Sequence, residues 1–396
     1  MKVIVKPSRI TGSITTPPSK SMAHRLIIAA GLAEGESIIH NVALSEDIKA
    51  TIGCLEALGA SVKKSGDKSL EITGTDPRNS KGASLNCNES GSTLRFMIPI
   101  AAMAEEEMRF SGTETLMKRP LSVYEDIFKK QGLGFKKSSD GLVIKGRLSG
   151  GEFEIPGDIS SQFITGLLMA LPLAEGDSII KTCGELESRP YVDMTLEALR
   201  AYGIKADWTD ERTLRIPGRQ IYQASEQTVE GDWSNAAYLM AHGAAVTGLD
   251  DNSLQGDKLC KGYFKQIEDG YCELNIRNCP DLGPVLMAYA AMHEGCTLHG
   301  TRRLKIKESD RAATMKEELS KFGIHTETED DSIKVGCGIN KPEQFLCGHN
   351  DHRIVMALCA LCMKTGGIIE GAEAVNKSFP DFFERIKEAG ADIEEI

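Results

Sequence analysis

Nine cations and two carboxylates in this sequence have the placement that chemistry on small anions requires. Lys20, Ser21 and Arg25 lie in Pro17-Pro18-Ser19-Lys20-Ser21-Met22-Ala23-His24-Arg25, which runs into the apolar Leu26-Ile27-Ile28-Ala29-Ala30. This reads as a turn opening a helix. A helix N-terminus presents unpaired N–H groups and a partial positive charge, so an ammonium and a guanidinium added there make a seat for phosphate or carboxylate. Arg95, Arg119, Arg189, Lys307, Arg311, Arg353 and Lys377 stand near other helix starts and their adjoining loops, and Ser160, Ser161 and Ser188 offer neutral donors. Most lysines and arginines are solvated and most such serines are caps, so no one residue carries the reading alone.

Asp281 and Glu308 are the carboxylates set among these cations. A carboxylate at an anion site suits proton transfer. The plainer readings are an N-cap for Asp281 after Pro280 and an i,i+3 ion pair of Glu308 with Arg311. His352, beside Arg353, is open as an acid, an anion ligand or a core histidine. His349 and His352 lack a third ligand at a sensible spacing, so no metal site is expected.

The elements that must hold these groups repeat. Six times a short polar or Gly/Pro-containing cluster opens an apolar helix: at Ser19-Lys20-Ser21, Glu89–Arg95, Ser160-Ser161-Gln162, Gly231–Asn235, Pro280–Pro284 and Asn350–Arg353. A second helix follows most of these and stops at a glycine, as in Leu55–Gly59, Phe128–Gly132, Leu196–Gly203, Leu319–Gly323 and Ile386–Gly390; Phe264–Gly270 reads as a degraded copy. Alternating strand residues follow the glycine. Copies spaced by about 50–75 residues form a structural repeat longer than the common solenoid periods. Nearly all-apolar helices with alternating strands imply sheets packed around buried helices. Six copies favour two domains of three, with a break near Gln227–Gly231; symmetry together with the family resemblance given below sets them as residues 16–229 and a discontinuous 1–15 plus 230–396, with the site expected in a cleft between them.

Composition bounds the class. A net charge of −11 argues against nucleic acid or an anionic membrane as partner, and no apolar run approaches the ~18 residues of a bilayer span. The opening Met1-Lys2-Val3-Ile4-Val5-Lys6 reads as a strand rather than a signal peptide. Eleven scattered cysteines, with one C-x-x-C at Cys359–Cys362 inside an apolar helical run, read as reduced thiols in a cytoplasmic protein. There is no phosphate-binding G-x-x-x-x-G-K-[ST] loop, no G-x-G-x-x-G after a strand and no G-x-S-x-G elbow. The residues by themselves describe a two-domain enzyme acting on small anions without metal, with Asp281 and Glu308 as proton carriers.

Pro18-Ser19-Lys20-Ser21 with His24-Arg25, Ser160-Ser161-Gln162-Phe163, Lys307-Glu308-Ser309-Asp310-Arg311, Asn350-Asp351-His352-Arg353 and Lys377-Ser378-Phe379-Pro380-Asp381 together resemble the EPSP synthase family of enolpyruvyl transferases. The resemblance runs over essentially the whole chain, with the motifs in the family's order. It implies an α/β (α+β) fold: a two-domain inside-out α/β barrel, each domain three βαβαββ repeats. It also implies transfer of the enolpyruvyl group of phosphoenolpyruvate to the 5-hydroxyl of shikimate 3-phosphate, with release of phosphate. That is a shikimate-pathway step toward chorismate and aromatic amino acids, passing through a tetrahedral intermediate. Carried over by position, Ser21, Arg25, Ser160, Ser161, Gln162, Ser188, Tyr191, Asp281 and Lys307 would hold shikimate 3-phosphate. Lys20, Gly91, Arg119, Glu308, Arg311, His352, Arg353 and Lys377 would face phosphoenolpyruvate. Asp281 would take the hydroxyl proton, and Glu308, helped by Lys20, would protonate the methylene carbon and later remove a proton. No cofactor, metal, nucleic acid or membrane is implied, and a monomer is expected.

Glu89 and Arg303 stand where the family often has asparagine, and Phe96 stands where many relatives have proline. The rival readings are UDP-N-acetylglucosamine enolpyruvyl transferase, a catalytically silent anion binder on the same fold, and a scaffolding solenoid. The first usually carries a Pro-Gly-Cys tripeptide, which is absent here. The second would have lost Asp281 or Glu308, and the third would lack cations at the helix starts.

Overall fold

The computed structural model describes residues 1–396. The chain divides into two compact units, one of residues 18–230 and the other of 1–17 with 231–396.

Polar clusters and apolar runs become helices where the sequence marks them. In the 18–230 unit these are α1 (Lys20–Leu32), α2 (Glu46–Leu58), α3 (Gly91–Ala101), the short α4 (Glu114–Lys118), α5 (Ser122–Lys130), α6 (Ser161–Ala170) and α7 (Arg189–Ala201). The other unit has α8 (Trp233–Ala241), α9 (Cys260–Glu268), α10 (Gly283–Ala291), α11 (Arg311–Lys321), α12 (His352–Thr365) and α13 (Phe382–Glu388). Side-chain caps start the inner helices: Ser19, Ser90, Ser160, Asp232 and Asp351 each accept a backbone N–H from the first turn. Each cap satisfies one of the donors a helix end leaves unpaired. Gly59 stops α2 at φ +112° and Gly323 follows α11 at φ +80°, left-handed positions that an L side chain resists.

The sheets repeat one pattern. Strand 83–86 pairs parallel with 108–111, which pairs antiparallel with 141–145, which pairs antiparallel with 134–138. The same mixed four-strand order recurs in five sheets. One is completed by strand 226–228 lying parallel to 36–40, and another by Lys2–Val5 lying antiparallel to both 367–370 and 393–395. The opening strand expected at residues 1–6 is present as Lys2–Val5, and a second short strand, Ser13–Thr15, pairs with Ala245–Thr247 in a two-stranded sheet. The fourth copy is therefore the reduced one. Its outer helix α9 is whole, and its sheet has shrunk.

Inner helices are buried on every side. α3 packs on α6 and α6 on α7 in one unit, and α10 on α12 in the other. Each unit has its own apolar core. A helix buried all round must be apolar all round, so its polar groups collect at its ends, which is where the candidate residues are. All eleven cysteines are free, with Cys359 and Cys362 fully buried on α12. No helix is long and apolar enough to cross a membrane.

Candidate active site

In the 18–230 unit, α1 opens with Ser19 accepting the Met22 N–H at 3.3 Å and Lys20 Nζ 2.8 Å from Asp47 Oδ2. One turn on, Arg25 is 2% exposed. Its Nε donates to Thr195 Oγ1 at 2.9 Å, Nη1 to the Ser21 carbonyl at 2.6 Å, and Nη2 to the Tyr191 carbonyl at 2.9 Å and Thr165 Oγ1 at 3.3 Å. Every one of these acceptors is neutral. Burial accordingly pulls the guanidinium down to about 10, with the Tyr191 phenol opposing. A buried cation without a carboxylate is expensive unless an anionic ligand supplies the missing charge. Ser188, fully buried at φ +57°, opens α7 without making a side-chain cap, and Tyr191 sits in the first turn that follows.

Two further helix starts join beside it. Gln162 accepts from Arg95 Nη1 at 2.6 Å and donates to Ser92 Oγ at 2.9 Å, tying the α6 opening at Ser160 and Ser161 to that of α3. Gly91, the first residue of α3, lies so close to Arg119 that a Cβ there would stand 2.5 Å from Nη1. The missing side chain lets a guanidinium lie over the helix N-terminus, which is an anion-binding combination. Lys137 donates to the Arg119 carbonyl at 2.7 Å, and burial followed by the Arg95 charge lowers its pKa.

The other unit carries the carboxylates. Arg311, 1% exposed in its side chain, begins α11 and bonds three of them: Asp351 Oδ2 from Nε at 2.8 Å, Asp281 Oδ1 from Nη1 at 2.8 Å and Glu308 Oε2 from Nη2 at 2.6 Å. Asp281 follows Pro280 in a 3₁₀ turn before α10 and is no cap; its Oδ1 also lies 2.9 Å from Lys307 Nζ, and its Oδ2 lies 3.8 Å from Arg353 Nη2. Burial alone would raise its pKa, but the charges of Lys307, Arg311 and Arg353 override it and hold the carboxyl well below the usual range. Lys307 is lowered by burial despite Asp281, with Arg303 and Arg311 adding repulsion. Arg353 is 4% exposed and lies over the Tyr238 ring at 5.3 Å, its Nε and Nη1 without protein partners. His352, at the start of α12, is buried with Nδ1 4.0 Å from Asp351 Oδ1. Lys377 Nζ donates to the Asn350 carbonyl at 2.7 Å.

Geometry thus brings Ser21, Arg25 and Tyr191 together, likewise Gly91 with Arg119, and Asp281 with Lys307, Glu308, Arg311 and Arg353. Arg189 stays apart, over the Trp208 ring at 4.4 Å and 3.8 Å from Asp193. Asp351, Asp47, Thr165, Thr195 and Lys137 complete these networks and were not singled out from sequence. Only Asp351 had a signal, its place immediately before His352-Arg353. Both units set cations beside a rigid helix start; Arg25 in one has no carboxylate partner, and the other adds Glu308 and the ionised Asp281. Such an arrangement is chemically suited to binding small polyanions and to moving protons.

Known proteins share this architecture. An EPSP synthase from Acinetobacter baumannii superposes with a TM-score of 0.80 at 24% identity, over 99% of each chain. The enolpyruvyl transferase NikO from Streptomyces tendae gives 0.79 at 16% identity, over 99% of this chain and 98% of its own. At those identities the likeness speaks for the fold. In sequence, a 3-phosphoshikimate 1-carboxyvinyltransferase from Clostridium kluyveri is 40% identical over 419 aligned positions, covering 99% of this chain and 98% of that protein. Its counterpart from Clostridium perfringens strain 13 is 39% identical, covering 100% and 99%. The family model for EPSP synthase (3-phosphoshikimate 1-carboxyvinyltransferase) matches residues 4–386. The chain belongs to the EPSP synthase family.

Proposed function

We propose that this protein transfers the enolpyruvyl group of phosphoenolpyruvate to the 5-hydroxyl of shikimate 3-phosphate and releases inorganic phosphate. The observation that carries this reading is the buried Arg311 guanidinium bonded at once to Asp281 and Glu308, which fixes two carboxylates for two different proton transfers. We assign shikimate 3-phosphate to Ser21, Arg25, Ser160, Ser161, Gln162, Ser188, Tyr191, Asp281 and Lys307. Phosphoenolpyruvate is assigned to Lys20, Gly91, Arg119, Glu308, Arg311, His352, Arg353 and Lys377.

Asp281 is ionised and accepts the proton of the attacking hydroxyl. In the free protein its three cations make it a weak base. Incoming phosphate and carboxylate groups offset those cations, so its basicity rises when the hydroxyl is present. Glu308, with Lys20, delivers a proton to the methylene carbon of phosphoenolpyruvate, and the hydroxyl oxygen bonds to the adjacent carbon. The resulting tetrahedral ketal still bears phosphate. Breaking its C–O bond to phosphate while removing a methyl proton restores the double bond. The cations neutralise the departing phosphate and orient both substrates.

Phosphate release from phosphoenolpyruvate, with shikimate 3-phosphate or UDP-N-acetylglucosamine as acceptor, tests the assignment. Release with shikimate 3-phosphate alone is expected. Release with the nucleotide sugar alone assigns the chain to the other acceptor, and release with neither removes the activity.

A further inference from the structure

We infer that Glu318 and His349 are a positioning pair that sets the affinity for phosphoenolpyruvate, without touching it, by holding the strained loop that leads into α12. The inference rests on the assignment of Arg311, His352, Arg353 and Lys377 to that substrate.

Glu318 lies two turns beyond Arg311 on the same face of α11, and its side chain is fully buried. Both its oxygens are committed. Oε1 is 2.8 Å from Lys321 Nζ and 2.9 Å from His349 Nε2, and Oε2 accepts the Cys347 N–H at 3.1 Å. Glu317, Glu318 and His349 are close enough together to suggest a metal ion, but the Lys321 ammonium already supplies positive charge on the same oxygen. The group is a clamp. Lys321 extends it by donating to the Phe345 carbonyl at 3.3 Å.

What it clamps is costly backbone. His349 at φ +48° and Asn350 at φ +53° are consecutive non-glycine residues in the left-handed region, a conformation that persists only where surrounding contacts impose it. The next residue, Asp351, is fully buried, caps α12 and grips Arg311 and Ser309. The Asn350 carbonyl takes Lys377. One loop therefore places Arg311, Lys377 and the start of α12 with His352 and Arg353. α11 holds that loop at both ends, through Arg311 to Asp351 and through Glu318 to His349. Of the residues assigned only to shikimate 3-phosphate, Asp281 alone touches residues placed by this loop, through Arg311 and Arg353, and Lys307 holds it from outside the loop.

His349→Gly tests the pair, because glycine accepts the left-handed backbone while losing the tie. The variant is expected to raise the KM for phosphoenolpyruvate roughly tenfold and leave that for shikimate 3-phosphate within about twofold, tenfold being the loss of one net hydrogen bond. His349→Gln, which restores a donor of similar reach, is expected to recover most of the affinity. Hydrogen exchange over residues 345–353, faster in His349→Gly and slowed again in His349→Gln, gives a readout independent of turnover. Unchanged KM values, or equal rises for both substrates, overturn the inference while leaving the activity of the native protein intact. If the native protein turns over neither substrate, the functional reading has failed first. Unaltered exchange in the loop would then show separately that the clamp holds nothing.

Discussion

Arg311 Nη1 donates to Asp281 Oδ1 at 2.8 Å, across thirty residues of sequence, from a side chain that is 1% exposed. The same guanidinium holds Glu308 and Asp351, so it is the common support of both carboxylates proposed as proton carriers and of the α12 cap. Arg311→Lys keeps the charge but cannot span three carboxylates. We expect kcat/KM to fall by more than ~100-fold and stability by roughly 3 kcal/mol, since the fully buried Asp351 and the partly buried Asp281 and Glu308 are left poorly paired. Steady-state kinetics beside thermal unfolding checks this; a fully active Arg311→Lys would show that the arrangement is not needed.

Gly91→Ala pushes a Cβ to 2.5 Å from Arg119 Nη1. The long arginine side chain can swing away, so the fold is expected to survive. The guanidinium leaves the α3 N-terminus, and we expect the KM for phosphoenolpyruvate to rise roughly tenfold, the worth of one such contact. A variant with native KM would place Arg119 outside the binding function.

Arg25 pays for its burial without a carboxylate partner, so its removal separates stability from function. Arg25→Met is expected to shift the unfolding midpoint by only a few degrees, whereas shikimate 3-phosphate affinity drops by roughly tenfold to 100-fold, the worth of the one charge-assisted hydrogen bond its remaining N–H can give. Calorimetric titration together with thermal scans reads both. Native affinity in this variant would remove Arg25 from the site.

His242 carries a pH dependence outside the site. It is 6% exposed, its Nδ1 lies 2.6 Å from the Tyr238 carbonyl, and burial brings it down to about 4, with that hydrogen bond opposing. The unfolded chain therefore binds a proton below about 6.5 that the folded chain refuses until about 4. Stability from this group is complete above pH 6.5 and is lost as pH falls, by about 3 kcal/mol at pH 4. His242→Gln is expected to flatten the decline of the unfolding midpoint between pH 6.5 and 4.5. His24, also buried and lowered, leaves part of the slope in place. An unaltered slope would contradict the reading.

The repeat was legible because each inner helix must be apolar along its length and polar at its start. The caps Ser19, Ser160 and Asp351 were therefore visible as clusters before apolar runs. The loss of strands in the fourth copy was not, since nothing local marks Ser13–Thr15 as leaving its neighbours for Ala245–Thr247. At the site, the i,i+3 pair of Glu308 with Arg311 could be read from spacing. Its extension to Asp281 and Asp351 is tertiary, as are the ties of Arg25 to Thr165 and Thr195. Arg189 shows the converse. Its place at a helix start matches the others, yet Trp208 and Asp193 draw it elsewhere.

The most direct test follows the methylene carbon. With phosphoenolpyruvate and shikimate 3-phosphate supplied in D2O, addition and elimination pass through a methyl group, so deuterium is expected in the vinyl methylene of the product. Mass spectrometry reads that label, and Glu308→Gln is expected to suppress turnover and label together. Product formed at the native rate without deuterium would contradict proton transfer to that carbon, and with it the role given to Glu308.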